Sequence, residues 1–414
     1  MTEPYGDLVD TWVKAAICSA PTSFDDVVCH LPGIYPTDAQ ASLNRLVRAG
    51  QISTEDYRRA TQRRPVPAQA PRAMGLSIPH PLDFDWRFSD AGLDTVLRVI
   101  GEVAGDGGLI CLGAPSIVRR MQLEGDPRAA LLLDANPRPV EVINATPGMQ
   151  QAQTCRLGTD PLPGTSAPVV VIDPPWYPEH FEVFLWAAAH LVEAKGHVIV
   201  SFPAAGTRPD VTNERDQALA WAASLGLELQ EIRRNLVGYR SPPFERAALA
   251  AVELDDLPGD WRRGDLLILQ QVKPPDTGAE PVSLGEPEWI PIIASPTQIR
   301  VRIATRKARV DPRLITVVKG DVLPTVSRRD NRRALVDVWT ANQRVYGCAD
   351  TGSLAAIAEA IAANTPPVRY VESTVGRELG GDERAYVSAA SRQLYKLIEK
   401  ETSDLRRYRW LDEA

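Results

Sequence analysis

Among the residues whose types can do chemistry, the tetrapeptide Asp173-Pro174-Pro175-Trp176 carries the sharpest signal. It follows the apolar run Val169-Val170-Val171-Ile172 and precedes a helical pattern, so its acid is expected at the carboxyl end of a strand. Alkylating an amine requires its lone pair to face the attacking carbon. Two acceptors can impose that orientation, the Asp173 carboxylate and the Pro174 carbonyl, while the prolines stiffen the loop and Trp176 offers a ring for stacking. The acid need not be a strong base, because orientation and stabilisation of charge developing on nitrogen supply much of the rate. Tyr177 adjoins this loop. Tyr239 and Arg240, in the run NLVGYRSPPF beyond an expected fifth strand, are further candidates for contact with substrate.

These residues need a scaffold, and the surrounding pattern predicts one. Leu109-Ile-Cys-Leu112, Ala130-Leu-Leu-Leu133, the run before Asp173, and His197-Val-Ile-Val-Ser201 are short apolar stretches separated by helical patterns. That is the signature of a mostly parallel sheet covered on both faces, a doubly wound α/β domain. In such a sheet the ligand sits beyond the carboxyl ends of the strands. The residues there form a set. Gly113-Ala114-Pro115-Ser116 makes a tight turn that lets backbone approach a cofactor, Asp134 can bond ribose hydroxyls, and Asp160, beside Thr159, can contact an adenine.

The order strand, Gly113-Ala-Pro-Ser116, Asp134, Asp160, Asp173-Pro-Pro-Trp176 resembles class I S-adenosylmethionine-dependent amino-methyltransferases. These include adenine-N6 methyltransferases and the related elongation-factor lysine methyltransferases, whose first turn is the closer match to Gly-Ala-Pro-Ser. The resemblance covers roughly residues 85–271. It implies a Rossmann-like fold, S-adenosyl-L-methionine near Gly113, Pro115, Ser116, Asp134 and Asp160, and the target amine at Asp173 and Trp176. The first turn departs from the family's fuller pattern in having a single glycine.

The flanks divide the chain further. Helical spacing over residues 5–19, a start after Ser23, capping-box spacing at Thr37-Asp-Ala-Gln40 and a β-like Gln51-Ile-Ser53 after Gly50 predict a winged helix over residues 1–63. Proline-rich stretches at 64–84 and 273–291 read as linkers around a methyltransferase domain at 85–272. Asp85-Trp-Arg-Phe88 reads equally as a lid or as the end of the first linker. The remaining residues, 292–414, are expected to form an α+β accessory domain with a charged strand at 298–304 and helices over 328–346, 353–363 and 384–400.

Charge is unevenly placed. Residues 73–285 hold 17 basic and 28 acidic side chains, whereas Arg300 to Arg333 holds eleven basic and three acidic. Any grip on a phosphate backbone is therefore expected from that basic segment, assisted by the third helix of the winged helix. Adenine N6 in DNA or RNA is the first expectation for the acceptor, and protein lysine is the alternative. A non-catalytic scaffold that retains the fold and binds protein partners is a third. Cys18, Cys29, Cys111, Cys155 and Cys348 lack metal or disulfide spacing and read as buried thiols. His180, His190 and His197 read as structural, so no metal is expected. No apolar run of spanning length occurs, and the acidic start MTEPYGDLVD lacks a basic signal-like segment, so a cytoplasmic location without membrane insertion is expected.

Overall fold

A computed structural model describes residues 5–63, 72–275, 281, 289–294, 297–303 and 310–412. The chain gathers into two compact units. One comprises Met1–Ser77, Trp86–Ser241 and Asp256–Leu284, and the other Ile78–Asp85, Pro242–Asp255 and Gly285–Ala414. The sequence suggests three domains. The difference arises because the N-terminal helices belong to the same unit as the large sheet.

The first unit begins with α1 (Tyr5–Cys18), α2 (Phe24–His30), α3 (Pro36–Arg48) and α4 (Thr54–Ala60). Val9, Val13, Phe24, Val27, Leu43 and Leu46 are buried among them. The β-like segment expected at residues 51–53 is instead the entry to α4. Ser53 accepts the Asp56 N–H at 3.0 Å, and Glu55 and Asp56 place negative charge in the first turn, so capping overrides a three-residue strand tendency. Among the described residues of this region there is no hairpin wing. α3 likewise opens on Pro36 after Tyr35, without the expected side-chain cap.

The rest of the unit runs β1 (Arg87–Phe88), α5 (Asp90–Ala104), β2 (Leu109–Leu112), α6 (Pro115–Glu124), β3 (Ala130–Asp134), α7 (Pro137–Asn144), β4 (Gln150–Thr154), β5 (Ala167–Ile172), α8 (Pro178–Leu191), β6 (Val192–Pro203), α9 (Val211–Ser224) and β7 (Leu227–Arg240). After α10 (Pro243–Ala250), which belongs to the second unit, comes β8 (Arg262–Gln271). The eight strands lie in the order β1-β7-β8-β6-β5-β2-β3-β4. β8 is antiparallel to both β6 and β7, while β2 to β6 pair in parallel. The apolar runs are continuous because both faces are covered. Ile110 and Leu112 belong to one buried cluster with Phe181, Leu185 and Ala222, whereas Leu109 and Cys111 belong to another with Val96, Ile100, Ile117 and Met121. Asn235 to Arg240 lie within β7 itself, which is longer than its apolar pattern suggests. Cys111, Cys155 and Cys348 are buried thiols as expected, but Cys18 is exposed and Cys29 only half-buried.

The second unit holds β9 (Trp289–Ala294), β10 (Thr297–Arg302), β11 (Leu314–Thr316), β12 (Val338–Thr340) and β13 (Val345–Cys348), then α11 (Thr351–Ala362), α12 (Pro367–Val375) and α13 (Gly381–Arg407). The strands form an antiparallel sheet in the order β11-β13-β12-β10-β9. A helix was expected over 328–346. The structure has a 3-10 turn at Asn331–Leu335 and the β12–β13 pair there instead, with Gln343 at φ +62° in the turn between the strands. Alternating burial of Val336 and Val338 wins over the helical spacing of the same residues.

α13 starts on a clustered acid. Glu383 pairs with the Arg377 guanidinium at 2.7 Å and accepts the backbone N–H of Gly380 at 3.0 Å and of Val310 at 3.3 Å. The Arg377 hydrogen bonds, followed by the Gly380 N–H, hold its carboxyl down at about 2, against an ordinary 4.5. A depressed folded value stabilises the fold above the ordinary value and loses that contribution as pH falls through the folded one. Carboxyl-detected NMR titration is expected to show Glu383 ionised at pH 4, with the α13 start loosening only toward pH 2. A midpoint near 4.5 would refute this.

Candidate functional site

The register of the parallel strands builds the site. Leu112 on β2 is level with Leu133 on β3 and with Ile172 on β5. The next residue on each strand is therefore Gly113, Asp134 and Asp173 in one row at the carboxyl edge. β2 is flanked by β3 on one side and β5 on the other, so this row spans the point where the winding reverses, the usual place for a ligand in an open α/β sheet. Backbone bonds secure it. The Asp173 N–H donates to the Leu112 carbonyl at 3.1 Å and the Gly113 N–H to the Leu133 carbonyl at 3.0 Å. Gly113 sits at φ +64°, and a Cβ there would lie 3.1 Å from the Phe184 ring and 3.4 Å from the Asp173 carbonyl, so only glycine suits the turn.

Asp173 ends a directed row of hydrogen bonds. The Trp176 indole N–H donates to Ser201 Oγ at 3.2 Å, Ser201 and the Tyr239 hydroxyl are in close contact, and Tyr239 donates to Asp173 Oδ1 at 2.6 Å. With Tyr239 donating to the carboxylate, the Ser201 hydroxyl donates to Tyr239 and accepts from Trp176, so every proton in the row points toward Asp173. Tyr239 is 2% exposed. Burial, then the Asp173 charge, raise its phenol pKa well above the ordinary 10, so the donor keeps its proton at any working pH. Its ring packs 4.8 Å from Phe88 and edge-on to Trp176 at 5.4 Å. Trp176 lies against β8 where Gly264 has no side chain: a Cβ there would be 2.8 Å from the indole.

The other residues singled out in the sequence are placed unevenly. Asp134 lies in the row, and its carboxylate accepts the Asn136 N–H at 2.8 Å. Asp160 closes its own turn after β4 by accepting the Arg156 N–H at 2.8 Å. Pro115 and Ser116 form the first turn of α6, where Ser116 is only 2% exposed, so packing of the helix start accounts for both. Tyr177 precedes α8 with the Arg208 guanidinium 5.2 Å over its ring. Arg240 neighbours Tyr239 on β7 and so faces the opposite side of the sheet; it is paired in register with Arg87. Tyr239, a candidate for substrate contact, is a buried strand residue whose hydroxyl donates to Asp173. Ser201 and Gly264 belong to no motif of the sequence. Ser201 ends an expected strand, which is a usable signal, whereas nothing local marks Gly264.

No protein-family model matches the sequence, and no curated protein matches it. Solved structures do match its fold. A mutein of the branched-chain polyamine synthase from Thermus thermophilus, in complex with N4-aminopropylspermidine and 5'-methylthioadenosine, superposes with a TM-score of 0.50 at 14% identity, covering 67% of this chain and 90% of that one. The two share a Rossmann-like α/β fold. A putative RNA methyltransferase from Pyrococcus horikoshii gives a TM-score of 0.35 at 13% identity, covering 49% of this chain and 94% of that one. The N-methyltransferase NodS from Bradyrhizobium japonicum, bound to S-adenosyl-L-homocysteine, gives 0.30 at 10% identity, covering 44% and 86%.

The basic segment is largely engaged within its own unit. Arg300 pairs with Asp83 at 2.6 Å, Arg313 with Asp311 at 2.7 Å and Arg332 with Asp330 at 2.6 Å, while Arg333 lies 4.3 Å over the Trp339 ring. Arg306, Lys307 and Arg309 lie outside the described residues. On α3, Arg45 pairs with Asp10 at 2.7 Å and Arg48 is exposed. Among the described residues no cluster of His, Cys, Asp and Glu could hold a metal ion, and no helix is long and apolar enough to cross a membrane.

Proposed function

We propose that the protein is an S-adenosyl-L-methionine-dependent N-methyltransferase whose acceptor amine is held at Asp173, with adenine N6 in nucleic acid as the first acceptor. The observation that carries this reading is the row Trp176, Ser201, Tyr239, Asp173. It ends in a carboxylate at the strand-row position beside the Gly113 turn. The residues present fit the cofactor: a glycine turn with positive φ at the end of β2, and an acid at the end of β3 suited to ribose hydroxyls. When bound, the sulfonium nucleoside supplies an electrophilic methyl group.

The chain's own residues orient the acceptor. Tyr239 fixes one face of the Asp173 carboxylate, leaving the acid to accept an amine N–H alongside the Pro174 carbonyl. The nitrogen lone pair is thereby turned away from both acceptors. The carboxylate charge opposes the positive charge growing on nitrogen, and the surplus proton passes to Asp173 and then to water. Trp176, half-buried on Gly264, offers a flat wall to a planar base, which a duplex would have to present flipped. Nucleic-acid contact through the basic segment would require its arginines to exchange their present partners for phosphates, with protein partners as the alternative use of that face.

A second reading has its own support. The polyamine synthase match extends over 67% of the chain, more than the sheet domain alone, and residues 73–285 are net acidic. Both favour an aliphatic cationic amine, either protein lysine taking a methyl group or a polyamine taking an aminopropyl group from the decarboxylated donor. The products separate these readings, since methyl transfer leaves S-adenosylhomocysteine and aminopropyl transfer leaves 5'-methylthioadenosine. The full-length protein should be incubated with each donor and with DNA, RNA, lysine-rich protein or spermidine, and both the acceptors and nucleoside products analysed. Methyl label in nucleic acid with S-adenosylhomocysteine supports the first reading. Methylthioadenosine with an extended polyamine, or methyl label in protein, supports the second, and neither product from either donor retires both.

A further inference from the structure

The loop between α2 and α3, residues 31–35, is wedged against the carboxyl end of the sheet. The Gly206 N–H, in the turn after β6, donates to the Pro32 carbonyl at 2.8 Å, and the Gly206 carbonyl accepts the Tyr5 hydroxyl at 2.9 Å. A Cβ on Gly206 would lie 2.6 Å from the Pro32 carbonyl oxygen and 2.7 Å from Ile34 Cγ1. Gly33, at φ +74°, is equally confined: a Cβ there would lie 3.0 Å from Ala204 Cβ and 3.1 Å from the Arg263 carbonyl oxygen. Asn235 Nδ2 on β7 donates to the Leu31 carbonyl at 3.4 Å. Tyr35 meets Trp261 edge-on at 5.5 Å, and the Arg262 guanidinium lies over three rings, Trp86 at 4.2 Å, Trp261 at 5.0 Å and Tyr35 at 5.9 Å.

The segments this loop grips are those that carry the site. β6 supplies Ser201, and the turn beyond it supplies Arg208, which lies over Tyr177. β8 supplies Gly264 under Trp176 and, at Arg262, the register partner of Tyr239. We infer that residues 31–35 form the acceptor-selecting wall of the site, with Tyr35 and Arg262 as its specificity-determining residues. This rests on the transferase reading above. A guanidinium held among three aromatic rings is restrained from swinging aside, so the rim has a fixed width and a fixed positive charge. A slender amine passes such a rim, whereas a bulky acceptor must match it. The N-terminal helices then serve the transferase as part of its substrate site.

The test uses the full chain with Gly206→Ala, Tyr35→Ala and Tyr35→Phe. Steady-state kcat/KM is compared for bulky and slender members of each acceptor class: an adenine-containing oligonucleotide against adenosine, a lysine-rich peptide against N-acetyl-lysine amide, and spermine against 1,3-diaminopropane. Gly206→Ala, which pushes the loop outward, and Tyr35→Ala are expected to change the bulky-to-slender ratio about tenfold or more through acceptor KM. Tyr35→Phe keeps the ring and should keep the ratio, and affinity for S-adenosylhomocysteine should be unchanged in all three. A ratio unmoved in folded Gly206→Ala overturns the inference while leaving the transferase reading intact. A wild-type chain that transfers nothing from either donor overturns both.

Discussion

Asp173→Asn is expected to lower kcat/KM for transfer roughly 10²–10³-fold, the scale of removing one preorganised electrostatic partner from a reacting centre. Binding of S-adenosylhomocysteine should persist. Asp173 Oδ1 already receives the Tyr239 proton, so in the amide the oxygen would take that place and the NH2 group would face the acceptor. A donor would then confront a donor, and the negative charge that offsets the developing ammonium would be gone. Loss of turnover should therefore appear mainly in kcat. Tyr239→Phe leaves the carboxylate in place but frees its orientation, and a smaller loss is expected from it. Full activity of a well-folded Asp173→Asn protein, measured with the acceptor that takes label, would show that Asp173 does not hold the reacting amine.

The second large effect lies in the other unit. Glu401 on α13 is 0% exposed. Its Oε1 pairs with Arg344 at 3.2 Å, and its Oε2 accepts the Asn342 backbone N–H at 3.1 Å and side-chain amide at 3.0 Å. Arg344, itself buried, also reaches Asp404 at 2.7 Å. Burial pushes the Glu401 carboxyl up and the Arg344 charge pulls it back. Arg344→Met leaves that carboxylate buried without its counter-charge, and is expected to destabilise this unit by about 3–5 kcal/mol. The sign with pH follows. A raised folded value means the contribution is present below the ordinary 4.5 and is lost as pH rises through the folded value, so the variant should be least impaired in acid. Amide exchange of α13 as a function of pH measures this. Adding Glu401→Gln should restore part of the loss, whereas a single variant within about 1 kcal/mol of wild type would mean the pair is not load-sharing in the fold.

The two units differ in how far local pattern foretold them. The strands β2, β3, β5 and β6 were legible because short apolar runs buried on both faces can hardly be anything else in a chain with helices between them. In the C-terminal region the same period-counting failed at residues 328–346. There apolar residues fit helical and strand spacing equally, and pairing with β10 decided the outcome. No wing forms after Gly50 among the described residues, because Ser53 caps α4 and its side chain accepts the Asp56 N–H.

What the sequence by itself determined is the row of residues that end the strands, Gly113, Asp134 and Asp173, because in a parallel sheet the residue after each apolar run must surface at the same edge. What only the tertiary structure decided is everything that reaches Asp173 from far along the chain. Tyr239 on β7, Ser201 on β6 and, against Trp176, Gly264 on β8 are brought to that edge by β8, which turns back antiparallel between β6 and β7. No local periodicity encodes that insertion. It is set by burying the apolar faces of β8 at the centre of the sheet, a global condition that no window of sequence contains.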